Sequence, residues 1–503
     1  MAVTSLSGVL MSQKWYLLVA AVITYIAVKC TFRRFFHPLA KVPGPFLPAV
    51  TKLYQSYYHG RYYLQIEKLH QQYGPIVRIT PSEVHIADAE CYDKIYYVGT
   101  KYWKSPNFYN ALCVPYAMFG TPSNDVHKIR RGAMNPMFSR QKVLDLEGIV
   151  QEKASKTVVL HHAFRAVSID VISDFAFDRC YNFLDKEDTG AHFFEMARGI
   201  GPALWAFQQF PSLQKLALKT PPWMAPYLSK PLGYVTSMQI ECVRQVQGVQ
   251  QKMREKKDLG RQTIFTTLLT DNGDKPEGYQ IPTAWELKDE AYSVLVAASD
   301  TTGNAMTVAA FNVLHNQEIY KKLVAELEDR FPHQTTDLPF VELEKLPYLT
   351  AVIKEGLRLS FGVIGRLPRV VPASGATFHS HYLPQDTIVS MSSWLMHRDP
   401  SVFSSPNTFS PERWLISDAE SRRLDRNLVP FGRGSRQCVG MPLAYTELYV
   451  TLGTLFRRFP SGMRVWSEGT KEVIGDYEDF FSSYHPYAKR DDWFKAWVPE
   501  GRE

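Results

Sequence analysis

The longest run of uncharged, apolar side chains lies near the amino end, where residues 15–28 read WYLLVAAVITYIAV. Extended back to Gly8 it approaches the roughly 20 residues needed to cross a bilayer, with Lys14 near one end. Lys29, Arg33, Arg34 and Lys41 follow it. Such a basic flank predicts that the rest of the chain stays in the cytosol. A secretory signal peptide is the rival reading, but no small-residue cleavage site follows the run. The next stretch, KVPGP at 41–45, predicts a stiff extended hinge. The expected organisation is a membrane anchor and basic flank over residues 1–40 and one compact unit over residues 41–503.

Beyond the hinge the periodicity is mostly helical. Residues 75–88 (PIVRITPSEVHIAD) alternate apolar and polar positions about a Pro-Ser turn and predict an antiparallel hairpin. Between Thr283 and Asn316 hardly a breaker occurs except Gly303, which predicts a long central helix. In YLTAVIKEGLRLSF, Leu349, Val352, Ile353 and Leu357 form one stripe, with Glu355 and Arg358 three apart. Residues 375–394 carry the turn residues and β-branched content of short strands. The segment 200–230 concentrates Trp205, Phe207, Phe210, Leu213, Leu216 and Trp223, suited either to core packing or to dipping into a lipid interface. No internal repeat is visible, and the pattern predicts a mainly α fold with a small β part.

Composition narrows the class. The chain has 503 residues, 45% hydrophobic, enough for a large core, and its net charge of +7 is too diffuse to signal nucleic-acid binding. None of the six cysteines is spaced as a zinc or redox pair, which fits a reducing compartment. Five read as small core side chains. Cys438 differs, because it sits in FGRGSRQCVG (431–440) between glycines and beside Arg433 and Arg436. The stretch lacks the third glycine of a dinucleotide fingerprint and the Lys-Ser/Thr of a P-loop. A nucleophilic cysteine needs a base, and although His379, His381 and His397 precede it, none is local. A thiolate held by backbone amides against a flat anionic ligand fits, and a haem with its propionates is such a ligand.

At this point the chain resembles a known family. Phe431, Gly434, Arg436, Cys438 and Gly440 match the haem-binding signature F-x-x-G-x-R-x-C-x-G of the cytochromes P450. Glu355-x-x-Arg358, then FSPERW (409–414) with Arg413, and AASDTT (297–302) within the expected long helix match the family's other marks in order. The PGP hinge is similar to that of microsomal members. The segments DVHKIRRGAMNPMFS, VPGPFLP and ITPSEVHIAD resemble fungal enzymes of secondary metabolism, a group that includes trichodiene oxygenase.

The resemblance implies a cytochrome P450 fold, mainly α, preceded by the anchor helix. It implies haem b (iron protoporphyrin IX) with Cys438 as axial ligand of the iron, and Phe431, Gly434 and Gly440 shaping the loop. Thr301 would hydrogen-bond the activated oxygen while Asp300 feeds protons through water. Arg436, Arg131 and Arg369 would face the propionates, and His127 joins them where the family usually has tryptophan. Ala298 replaces the usual glycine and narrows the pocket. Glu355, Arg358 and Arg413 would form a buried structural cluster. The activity implied is hydroxylation or epoxidation of a lipophilic terpenoid or polyketide, the pocket drawing on 108–118, 200–215, 294–301, 363–366 and 479–486. Electrons would come from NADPH–cytochrome P450 reductase, with cytochrome b5 as an optional donor, docking near Lys128, Arg130 and Arg433 at the endoplasmic reticulum membrane. The alternatives are a reductase-independent isomerase or dehydratase and a non-catalytic haem sensor.

Overall fold

The helix Ala284–His315 organises the molecule, and its start is set by a reciprocal cap. The Thr283 hydroxyl accepts the Glu286 N–H at 3.3 Å, and the Glu286 carboxylate accepts the Thr283 N–H at 2.9 Å. Most of its length is buried, so it runs through the core rather than along the surface. The helices Leu160–Phe177, Lys230–Arg254, Pro347–Ser360 and Met441–Arg458 pack around it. Gly303 permits the closest of these approaches: a Cβ there would lie 2.7 Å from the Arg165 side chain. The computed structural model describes residues 2–148, 160–199, 201–255, 261–271, 273–333, 337–460, 463–466, 475–484 and 494–497. Ile200, His485 and Pro486, expected at the pocket, lie outside the described residues.

The β part is one five-stranded sheet and three two-stranded pairs. The expected hairpin is β1 (Ile76–Thr80) and β2 (Glu83–Ile86). The sheet continues through β3 (Trp103–Lys104), β4 (Arg369–Val370) and β7 (Ile388–Ser390), in the order β1-β2-β7-β4-β3. Only the β2–β7 pairing is parallel. β5 (Ala376–Phe378) and β6 (His381–Leu383) form a separate hairpin. Every residue of β1 and β2 is buried, as happens when both sheet faces are covered. The short β3–β4 pairing matters most for the site, because it sets Lys104 opposite Arg369.

At the amino end one helix spans Ala2–Thr31 and continues through a widened turn at Phe32–Phe36. Trp15–Phe36, with mean hydropathy 1.7 and none of it buried, is long and apolar enough to cross a membrane. The basic flank contacts the globule. The Arg33 guanidinium donates to the Val50 carbonyl at 2.6 Å, and Arg78 donates to the Arg33 carbonyl at 2.8 Å. Leu39 packs among Val42, Ile76 and Val84 in a core cluster. The apolar segment 200–230 divides between the two expected fates: Trp205 is buried, while Phe210, Leu213, Leu216 and Trp223 are exposed.

Candidate active site

The loop bearing Cys438 is held by its own backbone. The Cys438 N–H donates to the Phe431 carbonyl at 2.9 Å, and the Gln437 N–H to the Gly434 carbonyl at 3.0 Å. Gly434 has φ +72°, and a Cβ there would meet the Tyr97 backbone at 2.5 Å, so only glycine fits. Ser435 adds a second tie, accepting the Gly99 N–H at 2.8 Å. The Cys438 side chain is exposed, yet burial is the main cause raising its thiol pKa. Both hold when the sulfur faces a space enclosed by protein. The Gly440 and Met441 N–H groups and the Arg131 charge pull the other way, toward thiolate.

The cations expected at the cofactor edge do gather. His127 and Arg131, one turn apart on the helix Asn124–Met134, stand within electrostatic reach of Arg369 and Arg436. Lys104, which the sequence reading missed, joins them from β3. Burial first, then repulsion by Arg369, Arg436 and Arg131, drives the Lys104 pKa far down. Burial, Arg436 and Lys104 likewise push His127 down to about 2, so its ring is neutral. Among the described residues, no carboxylate pairs with Lys104, Arg131, Arg369 or Arg436. Their donors go to neutral oxygens instead. Lys104 donates to the Phe119 carbonyl at 2.7 Å, Arg369 to the Tyr109 hydroxyl at 2.8 Å, and Arg131 to the Gln437 carbonyl. The Arg436 fork is already engaged by the chain. It clasps the carbonyls of Thr121, Pro122 and Ser123 at 2.8–2.9 Å, so it offers charge more than open N–H groups. Concentrated buried positive charge without a counter-ion is costly, and an anionic group beside Cys438 would relieve it. The residues therefore fit a haem with two propionates, which Cys438 would hold through its thiolate.

The Glu355 cluster is built on the opposite principle. Glu355 and Arg358, one turn apart on Pro347–Ser360, are both fully buried at 0% exposure. Glu355 accepts from Arg358 at 2.7 and 3.0 Å, from Arg413 Nε at 3.0 Å, from Trp414 Nε1 at 3.0 Å and from the Ser410 N–H at 3.0 Å. Arg358 also donates to the His397 and Pro406 carbonyls, and Arg413 to the Ser404 carbonyl. His397 carries the connection onward: its Nδ1 faces the Arg358 carbonyl at 2.9 Å, and its Nε2 accepts the Val429 N–H at 2.8 Å. That places the cluster two residues from Phe431, at the root of the Cys438 loop.

Along the central helix, Ala297 is exposed and Val294, Ala298 and Thr301 are half-exposed, although their neighbours Ser299, Asp300 and Thr302 are buried. The i, i+3, i+4, i+7 spacing puts the four on one strip, open where the rest of the helix is packed. The Thr301 hydroxyl donates to the Ala297 carbonyl at 2.9 Å, leaving its lone pairs available. Asp300 turns to another side. Its Oδ1 is 2.7 Å from Arg165 Nε and 3.4 Å from Arg198 Nε, an ion triad not legible in the sequence. Burial opposes its charge, but the two arginines outweigh it and hold the carboxyl pKa below the ordinary value.

Pocket segments far apart in sequence meet through aromatic rings. Phe481 lies 6.4 Å from Phe108 and 5.2 Å from Phe119 by ring centroid, and Arg366 sits over the Phe108 ring at 5.5 Å. Gln214 donates to the Asn110 carbonyl at 2.7 Å, joining the 200–215 segment to the same region. The proposed docking cations are partly spent: Arg130 donates to Pro115 and Thr121, and Arg433 pairs with Asp93 at 3.1 Å, while Lys128 is exposed.

Comparison with known proteins agrees with this geometry. Residues 42–463 match the family described as Cytochrome P450. The chain is 31% identical over 477 residues to cytochrome P450 monooxygenase macH of Penicillium terrestre, covering 90% of this chain and 93% of that protein. It is 35% identical over 446 residues to conidiogenone synthase PchP450 of Penicillium rubens, covering 85% and 88%. It is 35% identical over 466 residues to cytochrome P450 monooxygenase oblB of Emericella variicolor, covering 86% and 84%.

Proposed function

The chain belongs to the cytochrome P450 family and is a P450 monooxygenase, and from that premise we propose that it hydroxylates or epoxidises a lipophilic terpenoid or polyketide in fungal secondary metabolism. The observation that carries the reading is the pairing of Cys438, turned toward an enclosed space, with a largely buried set of cations that has no carboxylate partner among the described residues. A haem bound there by thiolate would supply reductive activation of dioxygen and transfer of one oxygen atom. Cys438 would hold the iron, and the Gly440 and Met441 N–H groups and the Arg131 charge favour its thiolate form against the effect of burial. Lys104, Arg131, Arg369 and Arg436 would balance the propionate charge, with the neutral His127 ring beside them. The cofactor is haem b.

Thr301 orients a proton at its hydroxyl on the open strip of the central helix. Asp300 draws protons toward that strip through water, and its ionic lock with Arg165 and Arg198 must loosen for it to do so. The Ala298 methyl narrows the strip, and the Phe108, Phe119 and Phe481 rings exclude water and favour an apolar substrate. Trp15–Phe36 anchors the chain in the endoplasmic reticulum membrane with the remainder in the cytosol. NADPH–cytochrome P450 reductase delivers electrons, and cytochrome b5 serves as a second donor. The test is incubation of the purified protein with reductase, NADPH and a panel of terpenoids and polyketides. The reading expects products heavier by one oxygen atom; hydroperoxide rearrangement without reductase, and no NADPH-dependent product, would overturn it.

A further inference from the structure

Three side chains that the monooxygenase reaction does not use meet at the edge of the β-rich region. Asp88 follows β2, and Cys91 closes the single turn Ala89–Cys91. His379 arrives from the tip of the β5–β6 hairpin, far along the chain. His379 Nε2 stands 2.9 Å from Asp88 Oδ2, and Cys91 Sγ lies 3.5 Å from the same oxygen. All three donor atoms fall within 4.8 Å of one another. The other Asp88 oxygen accepts the Glu90 N–H at 2.9 Å, which fixes the carboxylate plane.

An Asp–His ion pair with a thiol beside it is the simpler account of these contacts, but the donor set and spacing go further. Zinc binds sulfur at ~2.3 Å and nitrogen or oxygen at ~2.0 Å in a tetrahedron, which sets ligand atoms roughly 3.3–3.8 Å apart. The sulfur–oxygen distance of 3.5 Å already fits, the oxygen–nitrogen gap of 2.9 Å has to open slightly, and sulfur and nitrogen lie within 4.8 Å, close enough to reach the spacing by side-chain adjustment. Imidazole, thiolate and carboxylate together suit a borderline cation rather than magnesium or calcium. Cys91 is 2% exposed and packs with Phe378 of the hairpin in one apolar cluster, which anchors the sulfur from behind. Asp88 and His379 are partly open, at 24% and 35%, leaving an entry path and room for a water as fourth ligand.

We propose that Asp88, Cys91 and His379 form a binding site for a divalent transition-metal cation, with zinc the best match, that staples the β5–β6 hairpin to the turn after β2. The Cys91 proton leaves to solvent as the sulfur–metal bond forms, and no redox change is involved. The experiment uses the full-length, haem-loaded protein, stripped with chelator and titrated with zinc chloride. One tight equivalent is expected, and zinc K-edge absorption should show a single sulfur neighbour at ~2.3 Å among nitrogen and oxygen neighbours. His379→Ala, at an exposed hairpin tip, should keep its haem and weaken this equivalent by at least ~10-fold. Cys91→Ser should remove the sulfur neighbour. A nitrogen and oxygen shell alone in the unaltered protein, or equal uptake by it and His379→Ala, means adventitious surface binding and overturns the proposal.

Discussion

Two cationic clusters serve the Cys438 loop, and they differ in what closes them. Around Glu355, two guanidinium groups share one carboxylate and spend other donors on carbonyls, so the chain itself completes the cluster. Around Lys104, Arg131, Arg369 and Arg436, the donors find only neutral oxygens among the described residues, and the charges repel one another and the neighbouring His127. Arginine and burial are common to both. What separates them is the acid: one cluster contains it, and the other needs it from outside. A buried charge network complete within the chain supports a fold, whereas an incomplete one marks where a charged ligand belongs.

The sharpest way to break this contrast is to open the closed cluster. Glu355→Gln removes the charge that Arg358 and Arg413 share and leaves two buried cations, at an expected cost of ~3–5 kcal/mol. Urea unfolding of the purified protein checks it, and a loss under 1 kcal/mol would remove the distinction. Lys104→Met should act with the opposite sign on the haem-free chain. Deleting one of several repelling buried cations should leave that form no less stable, while haem dissociation speeds up by about tenfold, the worth of one charge-assisted contact. Transfer of haem to an acceptor protein reads the second effect.

A third buried arrangement sharpens the comparison through pH. Among the described residues Glu447 has neither a cation nor a carboxylate partner; the Ser168 hydroxyl donates to it at 2.7 Å, and burial lifts its pKa to about 7. The folded chain then holds a proton that the unfolded chain has released between about pH 4.5 and 7. Stability from this group is therefore full at the acidic end, falls as pH rises through that window and levels off above it. Glu447→Gln should flatten the dependence, so that at pH 8 the variant exceeds the unaltered protein by up to ~3 kcal/mol. Denaturant midpoints at pH 5 and pH 8 measure it. At the small end, Lys321→Ala breaks an exposed pair with Glu318, and its midpoint should not move measurably.

What could be read from the sequence follows the same division. Local regularities were legible: the long helix after Thr283, the β1–β2 hairpin and the i, i+3 pair Glu355–Arg358 all depend on near neighbours. Fixed motifs likewise pointed to Cys438, Thr301 and Arg413. Lys104 was not legible, because it enters the site only through the pairing of β3 with β4, more than two hundred residues apart. Arg165 and Arg198 were missed for the same reason, since only the packing of separate helices brings them to Asp300. Nor does composition reveal that Leu39, in the basic flank, is buried in one cluster with residues of β1 and β2.

The central claim is that the Cys438 sulfur ligates iron while the cation set holds the propionates. Cys438→Ser separates the two contributions, and the ferrous carbonyl spectrum is the direct readout. The account predicts that the variant still takes up haem through its cations but loses the long-wavelength Soret band that a thiolate ligand confers. Retention of that band in Cys438→Ser would contradict it.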